Sequence, residues 1–266
     1  MELKAKIVKY KNQFYDYVTE PKRVKWCTIA GLFSFIVFLL IAVYYANFFD
    51  PAQFTTYEWN GYNIFNHYIS DLGSVRYTPI PVLLNILWMV LAILFTPLVF
   101  YLYKKVHISY KGEEKWDIKR VGKWILINIG FFFMVVGILG WFWVGFYSED
   151  EGRLLAQYGI LMFGMNYHRF FSMVVFGGFV IAGIFIGLFF ILYPKTVRKI
   201  IDLKLPWIVL VILGLEMVIW PTLHMMFFLL TEEQFHEWFM MFALMVWLYP
   251  VGCVAIKMIN NDLKSR

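Results

Sequence analysis

Residues 66–74 bring together side chains that could carry out acid–base chemistry. If this segment is helical, the spacing of His67, Ser70 and Asp71 places them on one face, and Gly73 is suited to end the helix. A carboxylate beside an imidazole can orient the ring, raise its pKa or help to hold a metal. We therefore predict His67, Ser70 and Asp71 as candidate catalytic residues. The alternative is a capping role, in which Ser70 and Asp71 bind amides of the loop.

Histidines form a second group of interest. If the positively charged loops are cytoplasmic, four of the five histidines lie near the opposite membrane surface: His67, His168, His224 and His236. Clustered histidines can form a metal or proton site, and His168 is the fourth candidate catalytic residue. Because the chain contains no H-E-x-x-H or C-x-x-C spacing, four unrelated interfacial histidines are the alternative. Metal content and cofactors stay open.

Glu216 is an ionisable residue in the middle of an apolar run. A central carboxylate costs about 2.5–3.5 kcal/mol to insert, so it is expected to face the protein interior. With His224 two turns further on and Pro221 between them, it predicts a bent polar stripe along one helix. The alternative is a structural pair of Glu216 with Asn128 or Asn85.

Arginines on the same side as the histidines could hold a phosphate-type head group. The candidates are Arg76 and Arg169. Together with Glu216 and His224 they form the predicted set of substrate-binding residues.

The elements that must position these residues are six long apolar runs. Each is long enough to cross a hydrocarbon layer of about 30 Å, which takes about 20 helical residues. The runs are 27–49, 81–103, 124–147, 170–193, 207–230 and 238–256. Continuous rather than alternating apolar character argues against a β-barrel. The predicted fold class is an all-α, polytopic integral membrane protein with a six-helix transmembrane bundle.

Positive charge fixes the predicted orientation. Of the 24 Lys and Arg residues, 21 lie in residues 1–25, 104–123 and 194–206 or after the last run. Short loops rich in Lys and Arg stay cytoplasmic. We therefore predict a multi-pass protein of the cell membrane with cytoplasmic N- and C-termini. Contact with anionic lipids explains the net charge of +6, so no nucleic-acid partner is needed.

The predicted organisation has three parts. Residues 1–25 form a basic amphipathic segment on the cytoplasmic surface, and the helical spacing of apolar side chains in residues 1–20 predicts a helix there. Residues 26–258 form the six-helix domain, and residues 259–266 form a cytoplasmic tail. Gly183 and Gly187 have the spacing of closely packed membrane helices, which serves either the bundle or a homo-oligomer.

Three stretches of the sequence carry a resemblance to a known family. They are N-H-Y-I-S-D-L-G-S at residues 66–74, N-Y-H-R-F-F-S at residues 166–172, and Glu237-Trp238 with the later Pro250. The chain resembles the prokaryotic six-helix membrane family known as domain of unknown function 998, a likeness that implies the six-helix layout and no established activity. A more distant likeness is to Frag/DRAM/Sfk-type membrane proteins, some of which are linked to lipid remodelling. Leu72 stands where a threonine is common in that group.

Three functions are compatible with this sequence. The first is lipid binding or lipid modification at an outward-facing polar pocket, with membrane lipids as partners. The second is a small proton-coupled transporter that uses Glu216 and His224. The third is a non-catalytic scaffold with acidic outer loops. Whether the protein is an enzyme stays open, because the S-G-H signature of phosphatidic-acid phosphatases and the H-x-x-x-H of ceramidase-like hydrolases are both missing.

Overall fold

The computed structural model describes residues 2–48, 61–111, 118–201, 205–231 and 233–264, which are almost entirely helical. The α-helices are α1 (Glu2–Val18), α2 (Pro21–Phe48), α3 (Val82–Lys111), α4 (Ile118–Phe146), α5 (Glu149–Gln157), α6 (Tyr167–Leu192), α7 (Pro194–Ile201), α8 (Trp207–Thr231) and α9 (Gln234–Lys264), with a 3₁₀-helix at Ile69–Gly73. Six of these helices, α2, α3, α4, α6, α8 and α9, are long and apolar enough to cross a membrane. The predicted fold class is confirmed, and the protein is a multi-pass α-helical membrane protein.

Several spans extend beyond the apolar runs. The first begins at Pro21 rather than near residue 27, because proline suits the first turn of a helix, where its missing N–H is not needed. The last continues to Lys264, so most of the predicted tail is the end of α9. The helix expected in the first 20 residues is present as α1.

The six spanning helices form a closed ring. Each packs mainly on two neighbours, in the order α2, α3, α4, α6, α8, α9 and back to α2. Neighbours in sequence are therefore neighbours in space, and the closing contact brings α9 against α2, where the Tyr249 hydroxyl donates to the Leu32 carbonyl at 2.7 Å. This closure brings residues from the two halves of the chain together.

Small residues allow the closest helix contacts. A Cβ added at Gly187 would lie 2.6 Å from the Gly214 carbonyl oxygen, and one added at Gly183 would lie 2.7 Å from the Met217 carbonyl oxygen. Both glycines of the predicted small-residue pair therefore face α8 of the same chain. They serve packing within the bundle.

The two ends of the bundle differ in charge. One end carries α1, α7 and the end of α9, and we call it the basic side. The other carries the 3₁₀-helix, α5 and the connection from α8 to α9, and we call it the acidic side because Asp71, Glu149, Asp150 and Glu237 lie there. All the described histidines except His107 lie toward the acidic side.

Candidate functional site

The predicted helical segment forms a single 3₁₀-helix turn anchored by two carboxylates. Asp71 is buried, and its Oδ2 accepts a hydrogen bond from the Tyr68 amide at 2.9 Å. Glu237, also buried, accepts hydrogen bonds from the Ser70 amide and the Ser70 hydroxyl, both at 3.4 Å. The Asp71 contact is the capping role given above as the alternative. Ser70 serves by contrast as a donor to a carboxylate from the opposite end of the sequence.

Gly73 is required here for a reason other than the one expected. It does not adopt the left-handed backbone of a helix-ending glycine. A Cβ at this position would lie 2.4 Å from Asn85 Oδ1, and Asn85 Nδ2 donates to the Gly73 carbonyl at 3.0 Å. Gly73 therefore lets the start of α3 approach the 3₁₀-helix.

His67 packs against two tyrosine rings. Its ring stacks on Tyr62 with a centroid separation of 5.1 Å and lies edge-on to Tyr77. Its Nδ1 is 3.1 Å from the Asn63 carbonyl, and partial burial lowers the pKa of the imidazole. The expected shared face of His67, Ser70 and Asp71 does not form, because His67 precedes the 3₁₀-helix.

Asp71 lies close to a second carboxyl group. Burial, followed by the charge of the neighbouring Glu149, raises the pKa of Asp71 to about 9. A raised pKa favours the neutral form of the Asp71 carboxyl group. Glu149 also receives a hydrogen bond from Arg153 Nε at 2.9 Å, which offsets the effect of burial and raises the pKa of Arg153.

His168 lies in the first turn of α6 and is 8% exposed. Its Nδ1 is 2.8 Å from the Tyr147 carbonyl and must carry the hydrogen, because a carbonyl only accepts. In the neutral ring this leaves Nε2 with a lone pair, and Nε2 is buried without a hydrogen-bond partner among the described residues. The Tyr147 carbonyl, rather than Asp71, therefore orients the imidazole.

Gly152 of α5 allows His168 to pack closely against this helix. A Cβ at Gly152 would lie 2.8 Å from the His168 Cβ and 3.0 Å from its backbone nitrogen. Ser148 caps α5, and Asp150 accepts hydrogen bonds from the Ser74 hydroxyl at 2.7 Å and the Val75 amide at 2.8 Å. The helix α5 thus joins the 3₁₀-helix segment to the start of α6.

These elements enclose a pocket of about 190 Å³, which we call the acidic-side pocket. Its polar wall and its apolar wall differ sharply. The polar wall contains Ser70, Glu149, Asn166, His168, Arg169, Ser172 and Glu237, with Tyr68 beside them, and the apolar wall contains Met173, Phe176, Met225 and Phe228 from α6 and α8. A pocket with such walls suits an amphiphilic ligand.

A smaller cavity of about 20 Å³ adjoins the pocket and shares Ser70, His168 and Glu237 with it. Trp141 also lines this cavity, and its indole N–H is buried with no hydrogen-bond partner in the described part of the chain. A cavity needs about 10–15 Å³ and two to four polar partners to hold a water molecule. Both conditions are met here.

The structure brings together only part of the predicted set. Ser70, His168 and Arg169 line the acidic-side pocket, and Asp71 supports it through Glu149. His67 and Arg76 lie in the neighbouring loop and do not line it. Glu149 and Glu237 also line the pocket, although neither is among the site residues predicted from the sequence.

Glu216 and His224 do not line this pocket, and their surroundings differ from each other. Both Glu216 carboxyl oxygens are buried without a hydrogen-bond partner among the described residues. The proposed structural partners are engaged elsewhere, Asn128 with Tyr103 and Trp124, and Asn85 with Gly73.

His224 instead pairs with another imidazole. The Nδ1 atoms of His224 and His236 are 3.1 Å apart, and His236 Nε2 lies 3.7 Å from Glu233. Within the described parts of the chain, no three His, Cys, Asp or Glu side chains converge in a way that could hold a metal.

Comparison with known proteins adds no further assignment. No family model, no curated protein and no solved structure matches this chain. The class of multi-pass α-helical membrane protein therefore rests on the six spanning helices themselves.

Proposed function

We propose that this protein binds a membrane lipid in the acidic-side pocket and modifies its head group by acid–base chemistry centred on His168. The observation that carries the proposal is the buried, unpaired Nε2 of His168 in a pocket with one polar and one apolar wall. Imidazole is the side chain best suited to exchange protons near neutral pH. Burial without a partner is costly unless a ligand or water supplies one.

The apolar wall supports a lipid rather than a water-soluble substrate. Met173 and Phe176 of α6 face Met225 and Phe228 of α8 across the pocket. All four belong to membrane-capable helices, so a chain held between them would continue into the hydrocarbon layer. Methionine and phenylalanine adapt well to flexible apolar ligands.

The polar wall supports an anionic head group. Arg169 is exposed at the rim and lies in the first turn of α6, where the helix dipole favours negative charge. Its guanidinium suits a phosphate, which accepts paired hydrogen bonds. Glu149 and Glu237 lie on the same wall, and their carboxylates would repel an anionic head group. The head group would therefore bind beside Arg169 at the rim.

The chemistry that fits is hydrolysis of a head-group ester. The 20 Å³ cavity offers a place for one water beside His168. His168 Nε2 would take a proton from that water as its oxygen attacks, and would return the proton to the leaving alcohol. Ser70 and Glu237, held together by the hydrogen bond at 3.4 Å, would position the ester.

The test compares lipid classes in membranes from cells that express the protein. We expect the wild type to change the amount of at least one lipid class, His168→Ala to abolish that change, and His67→Ala to retain it, because His67 lies outside the pocket. Expression of all variants is matched by immunoblot. Unchanged lipids with the wild type would refute the proposal and favour a scaffold.

We also propose that the acidic side faces outward and that both termini are cytoplasmic, in the cell membrane. The bias of positive charge toward α1, α7 and the end of α9 supports this orientation. With Cys27 and Cys253 replaced by serine, Val75→Cys should react with an impermeant maleimide on intact cells, and Lys119→Cys should not. Equal labelling of both sites would contradict the orientation. Membership of the six-helix family named above is likewise a proposal, carried by residues 66–74 and 166–172.

A further inference from the structure

A second and larger cavity lies in the basic half of the bundle. Its volume is about 420 Å³, within the range of about 300–1,000 Å³ typical of ligand pockets. Five spanning helices, α3, α4, α6, α8 and α9, form its walls, and α7 forms its floor. The wall side chains are aliphatic, aromatic or sulfur-containing. We call it the basic-side cavity.

This cavity opens sideways between α8 and α9. Val209 of α8 lines it and is nevertheless 43% exposed, and Cys253 and Pro250 of α9 line it and are also exposed. Pro250 removes a backbone hydrogen bond within α9 and so favours a bend there. The opening therefore faces the hydrocarbon layer rather than water.

Basic side chains surround the opening on the membrane surface. Lys257 lies one helical turn beyond Cys253 on the same face of α9 and is exposed. The floor helix α7 is amphipathic, with Val197 and Ile201 buried against the cavity and Arg198 exposed at the edge of this buried face. An amphipathic helix of this kind lies at the level of lipid head groups, where cations attract anionic lipids.

We propose that the basic-side cavity binds an acyl chain of an anionic phospholipid, which enters between α8 and α9 while its head group pairs with Lys257 and Arg198. A large apolar cavity excludes water, and its walls lose packing contacts unless an apolar ligand fills it. The lipid acyl chain is the apolar molecule present at the opening. The charge around the rim selects the anionic head group. This site is separate from the acidic-side pocket and does not depend on the function proposed there.

The experiment uses the full-length protein in vesicles of equal parts phosphatidylcholine and phosphatidylglycerol. A trace of phosphatidylglycerol with a photoreactive diazirine in its acyl chain is added, and crosslinked peptides are mapped by mass spectrometry. We expect crosslinks on cavity residues of α7, α8 and α9, reduced several-fold by extra unlabelled phosphatidylglycerol. Crosslinks confined to the outer surface of the bundle would overturn the proposal.

A matched pair of variants tests the cavity itself. Leu213→Trp fills the cavity and should remove the internal crosslinks, whereas Ile212→Trp, on the lipid-facing side of the same helix, should retain them. Equal crosslinking of the two variants would contradict the site. If Leu213→Trp does not fold, the wild-type map and its competition still decide the question.

A second pair tests the head-group preference. Lys257→Glu should reduce the crosslinking of phosphatidylglycerol several-fold, and Lys119→Glu, an exposed lysine at the start of α4, should not. A photoreactive phosphatidylcholine should label the cavity weakly in every variant. Equal labelling by the two lipids would refute the anionic selection.

Discussion

The acidic-side pocket and the basic-side cavity share three helices, α6, α8 and α9, and yet differ in chemistry. In α6, the residues Ser172 and Phe176 line the pocket, whereas Ile186 and Phe189 line the cavity about three to five turns further on. The pocket is about 190 Å³ and polar on one wall, and the cavity is about 420 Å³ and apolar throughout. Position along the helix, rather than helix identity, determines the chemistry.

The physical reason is the supply of hydrogen-bonding partners. In the interior of a helix every backbone group is satisfied within the helix, and in hydrocarbon a polar side chain has few other partners. At the acidic end, helix starts and loops leave amides and carbonyls free to hold Asp71, Glu237 and His168 in place. Buried polar groups are therefore better supported with hydrogen-bond partners at that end than in the basic half.

The strongest test of this difference uses two variants, each of which should affect one region and leave the other unchanged. His168→Ala should lower the rate of lipid modification by about 10²–10⁴-fold, the usual contribution of a general acid–base group. It should leave crosslinking in the basic-side cavity unchanged. Leu213→Trp should do the reverse. Loss of both readouts in either variant, with normal thermal stability in detergent, would mean that the two regions are one functional unit.

The next largest effect concerns the helix that positions the imidazole. Gly152→Val should displace His168, since even the first carbon of the new side chain meets its Cβ at 2.8 Å. A shift of about 1 Å in a catalytic group can cost about 10²-fold in rate. Gly177→Ala is the matched control, because a Cβ at that α6 position meets nothing within 4 Å. Similar rates for the two variants would show that α5 does not position the site.

A smaller effect should appear in the pH dependence of stability. Because the pKa of Asp71 is raised in the folded protein, the folded state keeps a proton that the unfolded chain releases above about pH 4. Stability should therefore fall as pH rises above 4. Asp71→Asn cannot ionise, and it should be more stable than the wild type at pH 8 by about 1–3 kcal/mol, since each pKa unit corresponds to about 1.4 kcal/mol.

Thermal unfolding in detergent from pH 5 to pH 8 measures this difference. Glu151→Gln, an exposed carboxylate on α5, is the control and should follow the wild-type pH profile. Parallel pH profiles for Asp71→Asn and the wild type would show that Asp71 is ionised when folded. The basic-side cavity should not be affected by this substitution.

The smallest effect belongs to the ion pairs of the basic side. Lys104 Nζ lies 2.8 Å from Asp16 Oδ1, but the Asp16 side chain is 71% exposed. Lys104→Gln should therefore cost less than about 1 kcal/mol, and the cost should shrink further in high salt. Thermal unfolding at low and high salt tests this. A large loss independent of salt would mean that α1 is held by buried polar contacts, as the acidic side is.

The sequence by itself determined the six spans and their common class. Apolar length is a local property, and a helix that satisfies its own backbone can be recognised without its neighbours. The same reasoning identified α1 from its periodicity and selected Ser70, His168 and Arg169, which the structure places in one pocket. The segment 66–74 contributes Ser70 to this pocket, although its helix is a 3₁₀ turn and His67 lies outside the pocket.

Only the tertiary structure decided which polar groups meet. Ser70 and Glu237 are 167 residues apart in sequence, and they are joined because the ring of helices closes with α9 beside α2 and the 3₁₀-helix. The proximity of Asp71 to Glu149 depends in the same way on how α5 packs against the start of α6. The basic-side cavity is a property of packing between helices that are each uniformly apolar there. Contacts between distant segments depend on shape and closure, which a pattern read along a single chain does not contain.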